Sequence, residues 1–179
     1  MHLIGETVCI RDLRAKDESA FCDILADHRV SGTLRGSVRL GGPLRLLCEL
    51  SPSERVEKFH NSRRLCIDGQ SSAFAVEDCT SGAFIGSIGS YDIDRKRLGL
   101  SYWIASSFHG RGIGTALLKL YGRPALKRFG RRYLIANVAL DNPASAAAVR
   151  KAGFQPSRFA DDPGFGLTDG RQLFELGFD

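Results

Sequence analysis

The segment His109-Gly110-Arg111-Gly112-Ile113-Gly114-Thr115 is where residue types and spacing in this chain bear most directly on chemistry. Its three glycines alternate with other residues, and Ile113, Ala116, Leu117 and Leu120 then fall on one helical face, so a tight turn opens a helix. The first turn of a helix carries N–H groups with no carbonyl one turn back, and the helix dipole makes that end positive. Such a turn suits a phosphate, because no Cβ keeps the anion from the backbone. Two common phosphate loops do not fit. A Walker loop needs Lys and then Ser or Thr after its last Gly, whereas Gly114 is followed by Thr115-Ala116. A dinucleotide fingerprint from Gly110 wants Gly or Ala where Thr115 stands, inside a parallel βαβ series. A plain glycine-rich turn is the alternative, and the order of the surrounding elements has to decide against it.

Three extended runs lead into the loop: Ala73 to Glu77, Ala83 to Tyr91 and Leu98 to Ile104, separated by the turn-rich segments Asp78 to Gly82 and Asp92 to Arg97. They predict an antiparallel meander. Ahead of them, Val8 and Ile10 alternate with Thr7, Cys9 and Arg11, a first strand over Glu6 to Arg11. Ala20-Phe21 and Ile24-Leu25 predict a helix from Asp17 to about His28. Ser51-Pro52-Ser53-Glu54 combines a Ser cap, a first-turn Pro and a Glu three residues after the cap, so a helix starts there with Val56, Phe59 and Cys66 inward. Arg29 to Leu50 carries Gly32, Gly36, Gly41, Gly42 and Pro43 with Arg29, Arg35, Arg39 and Arg45, and reads as a basic loop with a short helix near Leu44 to Leu50.

Beyond the loop, Gly122 and Pro124 predict a kink or break in the helix, since Pro removes a donor and clashes one turn back. Tyr133 to Leu140 reads as a buried strand. Asn142-Pro143 caps a helix over Ala144 to Ala152 that Gly153 ends. Phe154 to Phe159 and Gln172 to Phe178 read as closing strands around a loop at Asp161 to Gly170.

With 179 residues, 43% hydrophobic and 25% charged, the chain is expected to be one globular domain over residues 1–179. No run reaches membrane-helix length and Met1 to Arg11 lacks a signal-peptide pattern, so a cytoplasmic location with no membrane partner is expected. The five cysteines Cys9, Cys22, Cys48, Cys66 and Cys79 show no close pairing and are most simply buried and reduced. The histidines His2, His28, His60 and His109 have no HExxH-like spacing, so no metal is expected. A net charge of +5 favours an anionic ligand without specifying one.

The loop in this setting resembles that of the GNAT superfamily of acetyltransferases, in which a strand, a turn of the pattern Gln/Arg-x-x-Gly-x-Gly/Ala and a helix hold the pyrophosphate of acetyl-coenzyme A. Ser101-Tyr102-Trp103-Ile104 is similar to that strand and His109 to Gly114 to that loop. Asn142-Pro143-Ala144-Ser145 and Lys151-Ala152-Gly153-Phe154 are similar to the family's second cofactor motif. The resemblance runs from about Glu6 to Phe178. Val8-Cys9-Ile10-Arg11-Asp12-Leu13 and Ser145 are most similar to the RimJ/RimL-like branch, which includes ribosomal-protein N-terminal acetyltransferases. The resemblance implies an α/β (α+β) fold, with a mixed sheet of about six or seven strands, antiparallel in its first half, flanked by about four helices. It implies a site for acetyl-coenzyme A made by Trp103, Ile104, Ala105, His109, Gly110, Arg111, Gly112, Ile113, Gly114, Thr115, Asn142 and Ser145. It also implies that the strand ending at Trp103 to Ala105 splays from its neighbour and pairs with the pantetheine amides. A backbone N–H would then polarise the thioester carbonyl.

Three residues depart from the family's pattern. His109 stands where Gln or Arg is usual, which removes a fixed charge and keeps the backbone cradle. Gly99 stands where this branch often carries an acid, a candidate general base. Val149 stands where many relatives have a Tyr that protonates the leaving thiolate. A thiol pKa of roughly 8.5 lets thiolate leave with little help, so that Tyr is dispensable. Ser145 is the one candidate proton donor, with cofactor binding or helix capping as its alternatives. Asp92 and Asp94 are candidate bases through water or simply turn residues. Tyr102 and Trp103 line an acceptor tunnel or belong to the core. Arg111 contacts phosphate or points to solvent.

The expected reaction is direct transfer of acetyl to a primary amine in a ternary complex. A peptide or protein N-terminus is expected over an aminoglycoside, since the basic segment from Arg29 would repel a cationic drug. A catalytically silent acetyl-coenzyme A-binding domain is the second reading. The third is a nucleic-acid-binding module built on Arg35 to Arg39, Arg95-Lys96-Arg97 and Arg131-Arg132, although no reading motif accompanies those short runs. A monomer or a homodimer is expected.

Overall fold

The computed structural model describes residues 1–32, 34–36, 44–67, 72–159 and 170–177. Among these the elements are β1 (Leu3–Ile4), β2 (Val8–Arg11), α1 (Glu18–Ala26), α2 (His28–Ser31), β3 (Arg35–Gly36), β4 (Arg45–Leu46), α3 (Pro52–Ile67), β5 (Ser72–Asp78), β6 (Phe84–Asp92), β7 (Arg97–Ile104), α4 (Ile113–Phe129), β8 (Tyr133–Ala139), α5 (Pro143–Lys151), β9 (Gln155–Pro156) and β10 (Arg171–Gly177). Eight strands form one sheet in the order β1-β2-β5-β6-β7-β8-β10-β9, and β3 pairs with β4 in a separate ribbon. β1, β2 and β5 are antiparallel, β7 and β8 are parallel, and β10 is antiparallel to both β8 and β9. The mixed α/β class is as expected. The sheet is larger than six or seven strands because the two-residue strands β1 and β9 extend its edges. Arg39, Gly41, Gly42, Pro43, Phe178, the loop over residues 161–169 and the Cys66 side chain, all named above, lie outside what is described.

The chain divides into two compact units, Met1–Gly89 with Tyr102–Ile113 and Ser90–Ser101 with Gly114–Asp179, and β6 and β7 each run through both. In the first unit the helical spacing in α1 buries Phe21 and Leu25, which pack with Phe59 of α3, Ala75 of β5 and Trp103 of β7. Phe21 meets Phe59 and Trp103 edge-on, with ring centroids 5.3 and 5.2 Å apart. The expected helix to His28 is interrupted at Asp27, which is extended and restarts the chain as α2 by accepting from the Arg29 N–H. An Asp so placed favours a new N-cap over continuing the old helix.

Arg11 ends β2 in a buried ion pair, its Nη1 and Nη2 donating to the Asp17 carboxylate at 2.7 and 2.9 Å while Nε donates to Glu77. Burial opposes ionisation of Asp17, but the hydrogen bonds from Arg11 and the Arg14 N–H outweigh it and hold its pKa below the usual carboxylate value. A carboxyl whose pKa is lower folded than unfolded contributes stability above its unfolded pKa of ~3.9, and loses it as pH falls through the folded value. Asp17→Asn is therefore expected to cost about 3 kcal/mol at pH 7, by leaving Arg11 short of a partner. Urea midpoints measured against pH should also fall less steeply below pH ~4 in the variant than in the wild type. Parallel curves would show that Asp17 is not the titrating group.

Cys9 and Cys79 form a disulfide between β2 and the residue after β5, which corrects the expectation that all five cysteines are reduced. The antiparallel register Val8↔Asp78 and Cys9↔Glu77 brings together two cysteines 70 residues apart in sequence, a proximity that spacing alone does not reveal.

In the second unit α4 runs without a break through Pro124, against the expectation of an interruption. Leu117, Leu118, Tyr121, Ala125 and Leu126 are all buried on either side of it, and that packing outweighs one lost backbone bond. Gly122 serves close packing: a Cβ there would stand 2.6 Å from Leu176 Cδ2. Leu134, Ala136 and Val138 of β8 and Phe174 of β10 are buried in register.

Candidate functional site

β7 runs on past its printed pairing with β8 to end at Ile104. The Ala105 N–H donates to Ile85 O at 2.8 Å, and a Cβ on Gly86 would collide with the Trp103 carbonyl, so both residues turn their polar groups toward β6. Strand alternation then turns the Ile104 peptide to the opposite edge. On that edge, the pairing of β7 with β8 stops at Leu100↔Ala136, although β7 continues to Ile104 and β8 to Ala139. The Ile104 carbonyl accepts from His109 Nε2 at 2.9 Å. A carbonyl can only accept, so Nε2 carries the hydrogen. His109 thus folds back on the strand that precedes it, a role the Gln or Arg pattern did not suggest.

Between strand and helix, a 3-10 turn over Ser106–Phe108 is closed by the Phe108 N–H on Ala105 O and the His109 N–H on Ser106 O. Gly110 and Gly112 follow at φ 75° and 77°, with Arg111 between them at negative φ. Alternation of this kind turns successive N–H groups toward one concavity, a nest for an anion. The positive φ at both positions favours glycine, and a Cβ added at either would meet nothing within 4 Å, so the space beside the nest is open. Ile113 is buried and anchors the start of α4, whereas His109 to Gly112 are exposed. The Arg111 guanidinium lies 5.3 Å from the Phe108 ring centroid, held at the nest by cation–π contact.

The other residues singled out from the sequence have surroundings of their own. Trp103 is a core residue, its ring 5.2 Å from Phe21 and 5.9 Å from Phe84. Trp103 to Ala105 and His109 to Ile113 lie in the first unit; Gly114 and Thr115, which continue the helix, and Asn142 and Ser145 lie in the second. Asn142 caps α5, its Oδ1 accepting from the Ser145 N–H at 3.0 Å. Val149 is fully buried and has no proton to give.

Asp94 closes its turn by accepting from the Lys96 and Arg97 N–H groups and the Arg97 side chain, and Asp92 pairs with Arg131 at 3.0 Å. The backbone N–H of Lys96, followed by the Arg97 side chain and its N–H, holds Asp94 below its usual pKa, so it is a weak base. Tyr91 covers Gly99: a Cβ there would collide with the Tyr91 Cζ. A cross-strand aromatic over a glycine restores the packing the glycine lacks. Tyr91 is half exposed, and the partial desolvation of its phenol pushes it upward, with Arg171 opposing, so it stays protonated. Among the described residues, no group of three or more His, Cys, Asp or Glu could hold a metal, and no helix is long and apolar enough to cross a membrane.

A mixed sheet whose strand β7 leads in unbroken sequence into an exposed glycine nest and a helix start defines an α/β protein with a place for an anionic ligand. A family profile described as the acetyltransferase (GNAT) domain matches residues 7–155, most of the chain, and the protein belongs to that family. GNAT enzymes use acetyl-coenzyme A as co-substrate, and this chain is an acetyltransferase of that kind.

Solved structures agree on the fold. A GNAT-family acetyltransferase from Bacillus anthracis superposes with a TM-score of 0.76 at 13% identity, covering 99% of this chain and 98% of that one. Mycobacterium smegmatis RimJ in complex with CoA-disulfide gives 0.72 at 22% identity over 95% and 81% of the two chains. RimL, a ribosomal L7/L12 alpha-N-protein acetyltransferase in complex with coenzyme A, gives 0.75 at 17% identity over 100% and 99%. A search of curated proteins returned no match.

Proposed function

We propose that this chain moves the acetyl group of acetyl-coenzyme A to a primary amine by direct attack in a ternary complex, with a peptide or protein N-terminus as the preferred acceptor. The observation that carries this reading is the exposed nest at Gly110 and Gly112, between the end of β7 and the start of α4. The residues present fit a pyrophosphate. The open space beside both glycines admits the anion, the first-turn N–H groups of Ile113, Gly114 and Thr115 face its charge, and Arg111 and His109 flank it. Acetyl-coenzyme A supplies the activated acetyl thioester. On the chain's side, Ile104 presents its backbone to the edge of β7 away from β6, where its N–H is the donor for the thioester carbonyl.

The amine nitrogen forms the new C–N bond, the C–S bond breaks, and the proton shed by the amine passes through solvent to the thiolate. Gly99, Asp94 and Val149 offer neither a base nor an acid, and Tyr91 is protonated. Among the described residues these positions supply no base, which favours an acceptor that sheds its proton readily. At pH 7, an N-terminal amine of pKa ~8 is neutral roughly 200-fold more often than a lysine of pKa ~10.4. Asn142 fixes the start of α5 by accepting from the Ser145 N–H, and Ser145 is the candidate for relaying the amine's proton to the thiolate.

RimJ and RimL, the latter an alpha-N-protein acetyltransferase, are similar in fold and support an N-terminal acceptor. The whole chain is read as one domain over residues 1–179, in a cytoplasmic monomer or homodimer. Nucleic-acid binding is disfavoured because Arg97 and Arg131, from two of the basic runs, already have carboxylate partners.

Steady-state acetylation of N-terminal peptides, lysine peptides, polyamines and aminoglycosides at matched pH tests the reading. N-terminal peptides should show kcat/KM at least ~10-fold above lysine peptides, rising with pH toward the amine's own pKa near ~8. Preference for an aminoglycoside would reject the N-terminal acceptor, and no turnover on any amine would reject the enzyme in favour of a silent binding domain.

A further inference from the structure

Asp27 and Ser106 are 79 residues apart in sequence and meet in the first unit, where Ser106 Oγ donates to Asp27 Oδ2 at 2.6 Å. Asp27 uses its other contacts locally. Oδ1 accepts from the Arg29 N–H at 2.9 Å and from Arg29 Nε at 3.0 Å, and Oδ2 from Arg29 Nη2 at 2.9 Å. The carboxylate is therefore saturated and fixed, and it has no capacity left for a substrate. Its hydrogen bonds from Arg29, then from Ser106, hold its pKa well below the usual carboxylate range, so it meets the Ser106 hydroxyl as a carboxylate at neutral pH.

Ser106 stands one residue after Ala105, which closes β7 on Ile85, and its carbonyl accepts the His109 N–H at 3.1 Å. The next residues along are Gly110 and Gly112. The turn over Ser106–Phe108 is a three-residue piece of 3-10 helix with no buried residue, and a turn of this kind is steadied by an anchor from a packed element. Asp27 is itself anchored, since it is both the end of α1, whose Phe21 and Leu25 are in the core, and the cap of α2.

We propose that the Asp27–Ser106 hydrogen bond is a latch that fixes the turn between β7 and the glycine nest. Asp27 and Ser106 are then positioning residues that set affinity for the coenzyme without touching it. This rests on the nest at His109 to Thr115 being the coenzyme site. A charge-assisted hydrogen bond is among the stronger side-chain contacts, and its loss loosens the segment that carries His109 onto Ile104. Neither residue is part of the glycine pattern or the second cofactor motif.

The test measures coenzyme A binding by calorimetry and thermal melting for Ser106→Ala, Ser106→Thr, Asp27→Asn and the double variant Asp27→Asn with Ser106→Ala. Ser106→Ala should weaken binding roughly tenfold with a Tm within about 2 °C of wild type, since it removes the latch and leaves the α2 cap intact. Ser106→Thr should restore affinity, because it keeps the hydroxyl. In the double variant the serine change should add little to what Asp27→Asn has already lost. The KM for acetyl-coenzyme A should rise in step with the dissociation constant while kcat changes less. Ser106→Ala binding as tightly as wild type, or Ser106→Thr failing to restore it, overturns the latch alone. Wild-type protein that does not bind coenzyme A at all overturns the functional reading on which the latch rests.

Discussion

Gly112→Asp is expected to weaken acetyl-coenzyme A binding by at least ~100-fold in calorimetry, from two additive causes. Gly112 sits at φ 77°, where any side chain is strained by ~1–2 kcal/mol, so the nest opens or the variant holds it at a cost. The carboxylate then stands in the open space beside the glycine, facing the helix start that the pyrophosphate would occupy, and repels it. Gly112→Ala separates the two causes: it carries the strain without the charge and should lose roughly tenfold. Equal binding by wild type and Gly112→Asp would place the coenzyme elsewhere.

Trp103→Ala should lower stability by about 3–5 kcal/mol, with a fall in Tm of roughly 10 °C. The ring is buried against Phe21 and Phe84, and its loss leaves a cavity between β7, α1 and β6 that those rigid neighbours cannot fill. Denaturant melts measure this directly. A loss below about 1 kcal/mol, with coenzyme or acceptor affinity collapsing instead, would return Trp103 to a tunnel wall and contradict its assignment to the core.

The loop and its helix were legible because glycine spacing and the change from strand to helical period are local signals. Asn142 was legible for the same reason: cap and first-turn proline are adjacent in sequence, and the side chain caps as that pattern demands. What escaped depends on register. Cys9 with Cys79, Tyr91 over Gly99, and Asp27 with Ser106 are contacts between distant residues that only strand pairing and helix packing create. The Pro124 expectation failed because a local rule met a buried helix whose packing overrides it. The tunnel and core readings of Trp103 could not be separated from sequence, since a strand aromatic suits either face until the sheet is assembled. His109 shows a subtler limit. Its departure from Gln or Arg was visible, but its hydrogen bond to the Ile104 carbonyl depends on how the chain turns back over five residues.

The most direct test of the account is hydrogen–deuterium exchange of the full chain with and without acetyl-coenzyme A, read by mass spectrometry at peptide resolution. The amides of residues 104–117 should be the most strongly protected by the ligand, since the β7 edge, the nest and the first turn of α4 are where it is held. Protection confined to other segments, with peptides covering His109 to Thr115 exchanging at the same rate in both states, would contradict the assignment of the coenzyme site.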